Sequence, residues 1–238
     1  QRLLVAGNGM AGMHMVETLL QLAPMRYDIT VIGREPHGNY NRVLLSPLLA
    51  GETTVEQTLI HDPDWYHRHG ITLRVGETVE QVNIAERTLR TDQRLLHWDR
   101  LVLATGSQPC RPSVPGSDLP HVSTFRTLQD VNTLLAGHGP VVVVGGGYLG
   151  IEAAAGLQAQ GRQVTLIHRQ SRLLDRQLDI RAGELLLAQL RARDIRCELN
   201  ASLAAIRTDS VILHDGRVLV AQQVVMAIGV QPAIALAQ

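Results

Sequence analysis

Two stretches of the chain carry the same hydrophobic rhythm. Leu3-Leu4-Val5-Ala6 is an unbroken apolar run, and Val141-Val142-Val143-Val144 is another. Short apolar runs closed by glycine suit strands covered on both faces, as in parallel sheets. Each run enters a turn of GxGxxG spacing, Gly7-Asn8-Gly9-Met10-Ala11-Gly12 and Gly145-Gly146-Gly147-Tyr148-Leu149-Gly150. Helical periodicity follows over Met13 to Leu22 and over Ile151 to Gln160, and then a second strand, Asp28 to Ile32 and Val164 to Ile167. A later pair repeats as well. Leu101-Val102-Leu103-Ala104-Thr105-Gly106-Ser107-Gln108-Pro109 aligns with Val224-Val225-Met226-Ala227-Ile228-Gly229-Val230-Gln231-Pro232. The chain therefore reads as two copies of one βαβ-based nucleotide unit, the second nested after the first.

The remaining segments fill in around these copies. Ile71 to Ile84 and Thr88 to Thr91 alternate as antiparallel strands do. Thr127-Leu128-Gln129-Asp130 is a capping-box-like start for a helix to about Leu135, and Ile180 to Arg193 has helical spacing with Arg at its end. Val211 to Val220, turned at Asp215-Gly216, reads as a hairpin. Pro109, Pro112, Pro115 and Pro120 mark the crossing between domains. The expected division is residues 1–112 for the first domain, 113–232 for the second, and 233–238 for the start of a return to the first.

Composition narrows the function. Lys plus Arg and Asp plus Glu are 22 each, a balance that argues against nucleic acid as partner. All the basic residues are Arg; without a Lys there is no Walker phosphate loop, Schiff base or pyridoxal phosphate site. Cys110 and Cys197 form no CxxC, which excludes a vicinal redox disulfide, a zinc ribbon and a four-cysteine iron–sulfur cluster within this chain. A reducing, cytoplasmic setting fits that cysteine usage. Val131 to Ile151, as long as any run free of Asp, Glu, Arg and Lys, is broken by Gly137, Pro140 and Gly145-Gly146-Gly147, so no membrane span is expected. The chain starts one residue before a strand and stops within an apolar stretch, which reads as a piece of something longer.

The glycine turns carry the chemistry. The first glycine permits the turn, the second lets the backbone approach a pyrophosphate, and the third lets helix pack on strand. Free N–H groups and the helix dipole then hold the anion. Two dinucleotide sites in one chain suggest FAD and a nicotinamide nucleotide, since a hydride donor works against a bound acceptor.

On these motifs the sequence resembles the two-dinucleotide-binding-domain flavoproteins, in the branch with ferredoxin and rubredoxin reductases. It is most similar to the N-terminal flavin module of assimilatory NAD(P)H-nitrite reductase large subunits. The carrying residues are Gly7 to Gly12, Glu35-Pro36-His37-Gly38-Asn39-Tyr40-Asn41-Arg42-Val43-Leu44-Leu45-Ser46, Ala104-Thr105-Gly106, Phe125-Arg126-Thr127, Gly145 to Glu152, and Arg176-Gln177-Leu178-Asp179. The resemblance implies an α/β fold of two nested Rossmann-like, three-layer ββα domains, glutathione-reductase-like, with the C-terminal dimerisation domain absent. By the same resemblance Gly7, Gly9, Met10, Ala11 and Gly12 hold the FAD pyrophosphate and Glu35 sits near its adenosine ribose. Arg42 and Ser46 approach the FAD, Val79 meets the adenine, and Ala104, Thr105, Gly106 and Arg126 complete the site. Gly145, Gly147, Tyr148, Leu149, Gly150 and Gly229 hold NADH or NADPH, with Glu152 near the nicotinamide as the candidate catalytic residue.

The sequence departs from that pattern in places. Arg34 follows Gly33 where relatives carry an acid, Pro47 stands where they carry Lys after Ser46, and the late Gly-Asp motif for FAD is missing. Ile167-His168-Arg169-Gln170-Ser171-Arg172 has no acid for a ribose 2′-hydroxyl. Arg169 and Arg172 would fork a 2′-phosphate, favouring NADPH or dual use, or else form a solvated basic loop. Glu152 has the simpler reading of a first-turn acid complementing a helix dipole. His61, Asp62, Asp64, His67 and His69 are read as a polar loop and short helix, and no metal site is expected. Cys110, beside Arg111, is read as an inert thiol.

The implied activity is FAD-dependent NAD(P)H oxidation, with electrons passed to a metal centre in the same longer polypeptide or in a partner. The implied outlet is nitrite reduction, with siroheme and iron–sulfur cluster outside this chain. A freestanding reductase of rubredoxin or ferredoxin, an electron-transfer subunit of assimilatory nitrate reductase, and a non-catalytic redox sensor are the alternatives.

Overall fold

A computed structural model describes all 238 residues. The chain forms two compact units. The first comprises Gln1–Arg42, Thr58–Gln108 and Pro232–Gln238, and the second Val43–Gln57 and Pro109–Gln231.

In the first unit four parallel strands lie in the order Thr72–Val75, Asp28–Gly33, Arg2–Ala6 and Arg100–Leu103. Alternate residues of the central strand point to opposite faces, and both faces are covered. Leu3 and Val5 pack with Met13 and Val16 of the Met10–Leu22 helix, and with Tyr66 and Ile71. Leu4 and Ala6 pack with Leu89, Val82 and Leu96 of a three-stranded antiparallel sheet, Val79–Asn83, Thr88–Thr91 and Leu95–His97. The strand of this unit is apolar without a break because it separates two layers.

The second unit repeats that arrangement. Its parallel sheet runs Arg196–Glu198, Val164–Ile167, Val141–Val144, Gln223–Met226 and Val122–Thr124. Val142, Val144 and Ile167 pack against the antiparallel Leu203–Ile206, Ser210–Leu213 and Val218–Val220 strands, with Val211 and Leu213 fully buried. The Leu128–Ala136 helix carries the expected capping box between Thr127 and Asp130.

Three sequence expectations need correction. Both glycine-turn helices start three residues early, at Met10 and Tyr148, because Gly9 and Gly147 are their N-caps. Glu152 consequently lies beyond the first turn, where no acid is present, and does not complement the dipole there. Thr72–Val75 pairs parallel to Asp28–Gly33, because a crossover chain and not a hairpin joins them. Separately, residues 43–57 are grouped with the second compact unit. The reason is an unexpected helix, Leu45–Ala50, which buries Leu45, Leu48 and Leu49. Leu49 lies against Gly156 of the Tyr148–Ala159 helix, where a Cβ would come within 3.0 Å of its Cγ.

Candidate functional site

The two glycine turns are built by the same contacts. Gly7 and Gly145 have φ of +124° and +121°, a region that disfavours any Cβ. A Cβ there would lie 2.1 Å from the Ala104 carbonyl oxygen and 2.3 Å from that of Ala227. Their amides donate to the carbonyls of Ile32 (2.8 Å) and Ile167 (2.9 Å), which ties each turn to the end of its second strand. Gly12 and Gly150 sit under the turns, where a Cβ would meet the Gly7 oxygen at 2.5 Å and the Gly145 oxygen at 1.8 Å.

The middle glycines differ. Gly9 (φ −86°, ψ 174°) and Gly147 (φ −85°, ψ −177°) are extended, and a Cβ on either would meet nothing within 4 Å. Neither helix has a side-chain cap, so first-turn N–H groups face that open space. Two uncapped helix starts with no side chain in front of them fit an anionic pyrophosphate. Beside the first turn Asn8 Oδ1 and Asn39 Oδ1 are buried without a hydrogen-bond partner. Those orphaned polar atoms also fit a polar group at this turn.

The other first-unit residues converge here. Glu35 accepts from the Tyr40 hydroxyl at 2.8 Å and forms an ion pair with Arg42, and Arg42 Nη1 donates to the Tyr40 oxygen at 2.6 Å. His37 Nε2 also lies 3.5 Å from Glu35 Oε2, so the carboxylate is oriented by three partners. The Glu35 carbonyl accepts from the Gly76 amide, which brings the following strand and Val79 alongside. Val79 packs against the cluster that holds Ala6 and Ile32, at the C-terminal ends of the two central strands. Ala104 donates to the Ala6 carbonyl, and the Thr105 hydroxyl donates to the Ala233 carbonyl at 2.7 Å, so the returning 232–238 segment is pinned to this loop.

Ser46 and Arg126, assigned by resemblance to the first site, lie in the second unit. Arg126 precedes the Leu128–Ala136 helix, with its amide bonded to Asp130. Ser46 Oγ donates to Glu152 Oε2 at 2.5 Å, so the partner of this exposed carboxylate is a hydroxyl, in a chain that has no lysine. Arg169 is exposed at the end of the second strand. Arg172 is not a free fork: its Nη2 and Nε donate to the carbonyls of Asp175 (2.6 Å) and Leu178 (3.3 Å). Tyr148 and Leu149 are exposed on the first turn, and Gly229 (φ +116°) accepts at its carbonyl from Cys110 N–H.

Sequence reasoning missed His168. It is buried, its Nδ1 accepts from the Gly146 amide at 3.0 Å, and its Nε2 faces Asp175 Oδ1 at 3.3 Å. The available signal was a polar residue closing the apolar second strand of the βαβ unit, Val164–Ile167.

The polar loop before Thr72 is structural. His61 stacks on Trp65 at 3.7 Å and pairs with Glu17, while Asp62 caps the Pro63–Arg68 helix. Both cysteines are free thiols, and burial pushes the Cys197 thiol pKa up. No helix is long and apolar enough to cross a membrane.

Comparison with known proteins gives concordant matches. The family model described as pyridine nucleotide-disulphide oxidoreductase matches residues 1–238. The assimilatory nitrate reductase electron transfer subunit of Bacillus subtilis is 41% identical over all of this chain and 32% of its own length. Nitrite reductase [NAD(P)H] of the same organism is 40% identical over 98% of this chain and 30% of its own length. The chain therefore spans about a third of these relatives. Putidaredoxin reductase, solved in covalent complex with putidaredoxin, superposes with a TM-score of 0.91 at 27% identity, over 99% of this chain and 60% of that one.

Proposed function

From a chain that belongs to the pyridine nucleotide-disulphide oxidoreductase family, we infer an FAD-dependent NAD(P)H oxidoreductase module that feeds electrons to a metal centre. The observation that carries this reading is the pair of glycine turns, each with its middle glycine open to a ligand and its outer two closed by backbone. The first turn takes the FAD pyrophosphate, with Met10, Ala11 and Gly12 supplying N–H groups at the positive end of a helix. Glu35, held by Tyr40 and Arg42, is oriented to accept from the adenosine ribose. The second turn takes the nicotinamide nucleotide in the same way through Tyr148, Leu149 and Gly150. Glu152, held by the Ser46 hydroxyl, presents its carboxyl group one turn into that helix, where it orients the nicotinamide. FAD, when bound, supplies the conversion between two-electron and one-electron transfer. With Cys110 and Cys197 far apart in sequence and both free, these residues supply no vicinal dithiol for the electrons to pass through.

The electron outlet follows from the relatives. The matched nitrite reductase and nitrate reductase subunit favour an outlet in nitrate assimilation; siroheme and an iron–sulfur cluster outside these residues are the acceptors we propose. A second reading, a reductase for a small iron–sulfur protein, is favoured by the likeness to putidaredoxin reductase.

The test is the absorbance spectrum of the purified protein, followed by anaerobic titration with NADH and NADPH separately. A yellow protein that bleaches with either nucleotide is expected. A protein that neither carries nor takes up flavin sinks the reading, and a yellow one that no nucleotide bleaches leaves only the sensor. Arg169→Ala is expected to weaken NADPH by about tenfold, the loss of one charge-assisted contact, and to leave NADH unchanged. Arg172→Ala frees two loop carbonyls and is expected to weaken both nucleotides alike. Equal effects of Arg169→Ala on the two nucleotides would remove its 2′-phosphate role.

A further inference from the structure

We propose that His168 is a positioning residue for the second glycine turn, and that the acceptor its Nδ1 offers to Gly146 is required for tight binding of the nicotinamide nucleotide. The inference rests on the reading of that turn as the nucleotide site.

The two units solve one packing problem in opposite ways. Under the first turn, the middle residue Asn8 is large and the strand end is Gly33, where a Cβ would meet the Asn8 Cβ at 2.8 Å. Under the second turn, the middle residue is Gly146 and the strand end is His168. A Cβ on Gly146 would lie 2.7 Å from the imidazole Cγ and 2.7 Å from Leu173 Cδ2. The first turn thus fills the space beneath it with its own side chain, whereas the second rests on a ring supplied by the strand.

That ring is a hydrogen-bond acceptor. Gly146 N–H donates to Nδ1, so Nδ1 carries no proton and the ring's N–H is at Nε2, directed at Asp175 Oδ1. The Gly146 carbonyl accepts from the Leu174 amide at 2.9 Å, so both backbone groups of the turn's middle residue are spent on His168 and the loop it faces. The His168 main chain is fixed too, donating to the Glu198 carbonyl and accepting from the Ala201 amide. A second proton on the ring would oppose two N–H groups across a buried 3.0 Å contact and free the Gly146 amide.

The test is calorimetric titration of the flavin-loaded protein with NAD+. His168→Asn places an amide oxygen where Nδ1 stood and is expected to bind as wild type. His168→Leu leaves the Gly146 amide unmet and is expected to bind about tenfold more weakly, the cost of one unmet buried donor. Tight binding by a folded His168→Leu, or equally weak binding by folded His168→Asn and His168→Leu, overturns the proposal alone. Wild type that binds no NAD+ overturns the nucleotide reading and the proposal together.

Discussion

Replacing Gly9 by valine is expected to yield a folded, colourless protein. The backbone at this N-cap is extended (φ −86°, ψ 174°), a conformation a β-branched residue adopts readily. No protein atom lies within 4 Å of the added Cβ, and no side-chain cap is lost. The expected stability cost is below about 1 kcal/mol. The ligand sees the same change differently, because the isopropyl group fills the approach to the helix N–H groups. A hydrogen bond to a charged group contributes about 1.5–3 kcal/mol, so losing two weakens FAD by at least about a hundredfold. Flavin content and melting temperature, measured together, decide the matter. Stoichiometric flavin in the valine variant would show that the pyrophosphate lies elsewhere. Gly12→Val is the contrasting control: its Cβ would meet the Gly7 carbonyl at 2.5 Å, and loss of folded protein is expected.

Gly147→Val is expected to remain yellow and to resist bleaching by both NADH and NADPH, while a chemical reductant still bleaches it. The geometry repeats that of Gly9, with φ −85°, ψ −177° and open space before the Cβ. By the same two-bond reckoning nucleotide affinity falls at least about a hundredfold. Normal nucleotide reduction in this variant would move the second site away from the turn. The companion control, Gly150→Val, places a Cβ 1.8 Å from the Gly145 oxygen and is expected to cost the fold of that unit. The two valine variants together assign each turn its own cofactor.

The duplicated core was legible before any coordinates. A GxGxxG turn is a local constraint, fixed by φ and by one or two close backbone approaches, so Gly7, Gly12, Gly145 and Gly150 announce it from spacing. The all-apolar strands announced burial on both faces, which the layers on either side of Leu3–Ala6 and Val141–Val144 supply. Helix starts were misplaced by three residues because periodicity begins only where side chains meet the core, whereas the hydrogen-bonded turn begins at the glycine.

Sequence by itself determined the two turns and the lack of a CxxC motif, since each is a property of neighbouring residues. Tertiary structure alone decided which unit holds residues 43–57, that the Arg172 guanidinium is committed to loop carbonyls, and that Glu152 is met by Ser46. It also decided that His168 lies beneath Gly146. Those pairings join residues distant in the chain or turned towards one another by a loop. Their formation depends on packing and on the geometry of individual hydrogen bonds, which residue spacing does not encode.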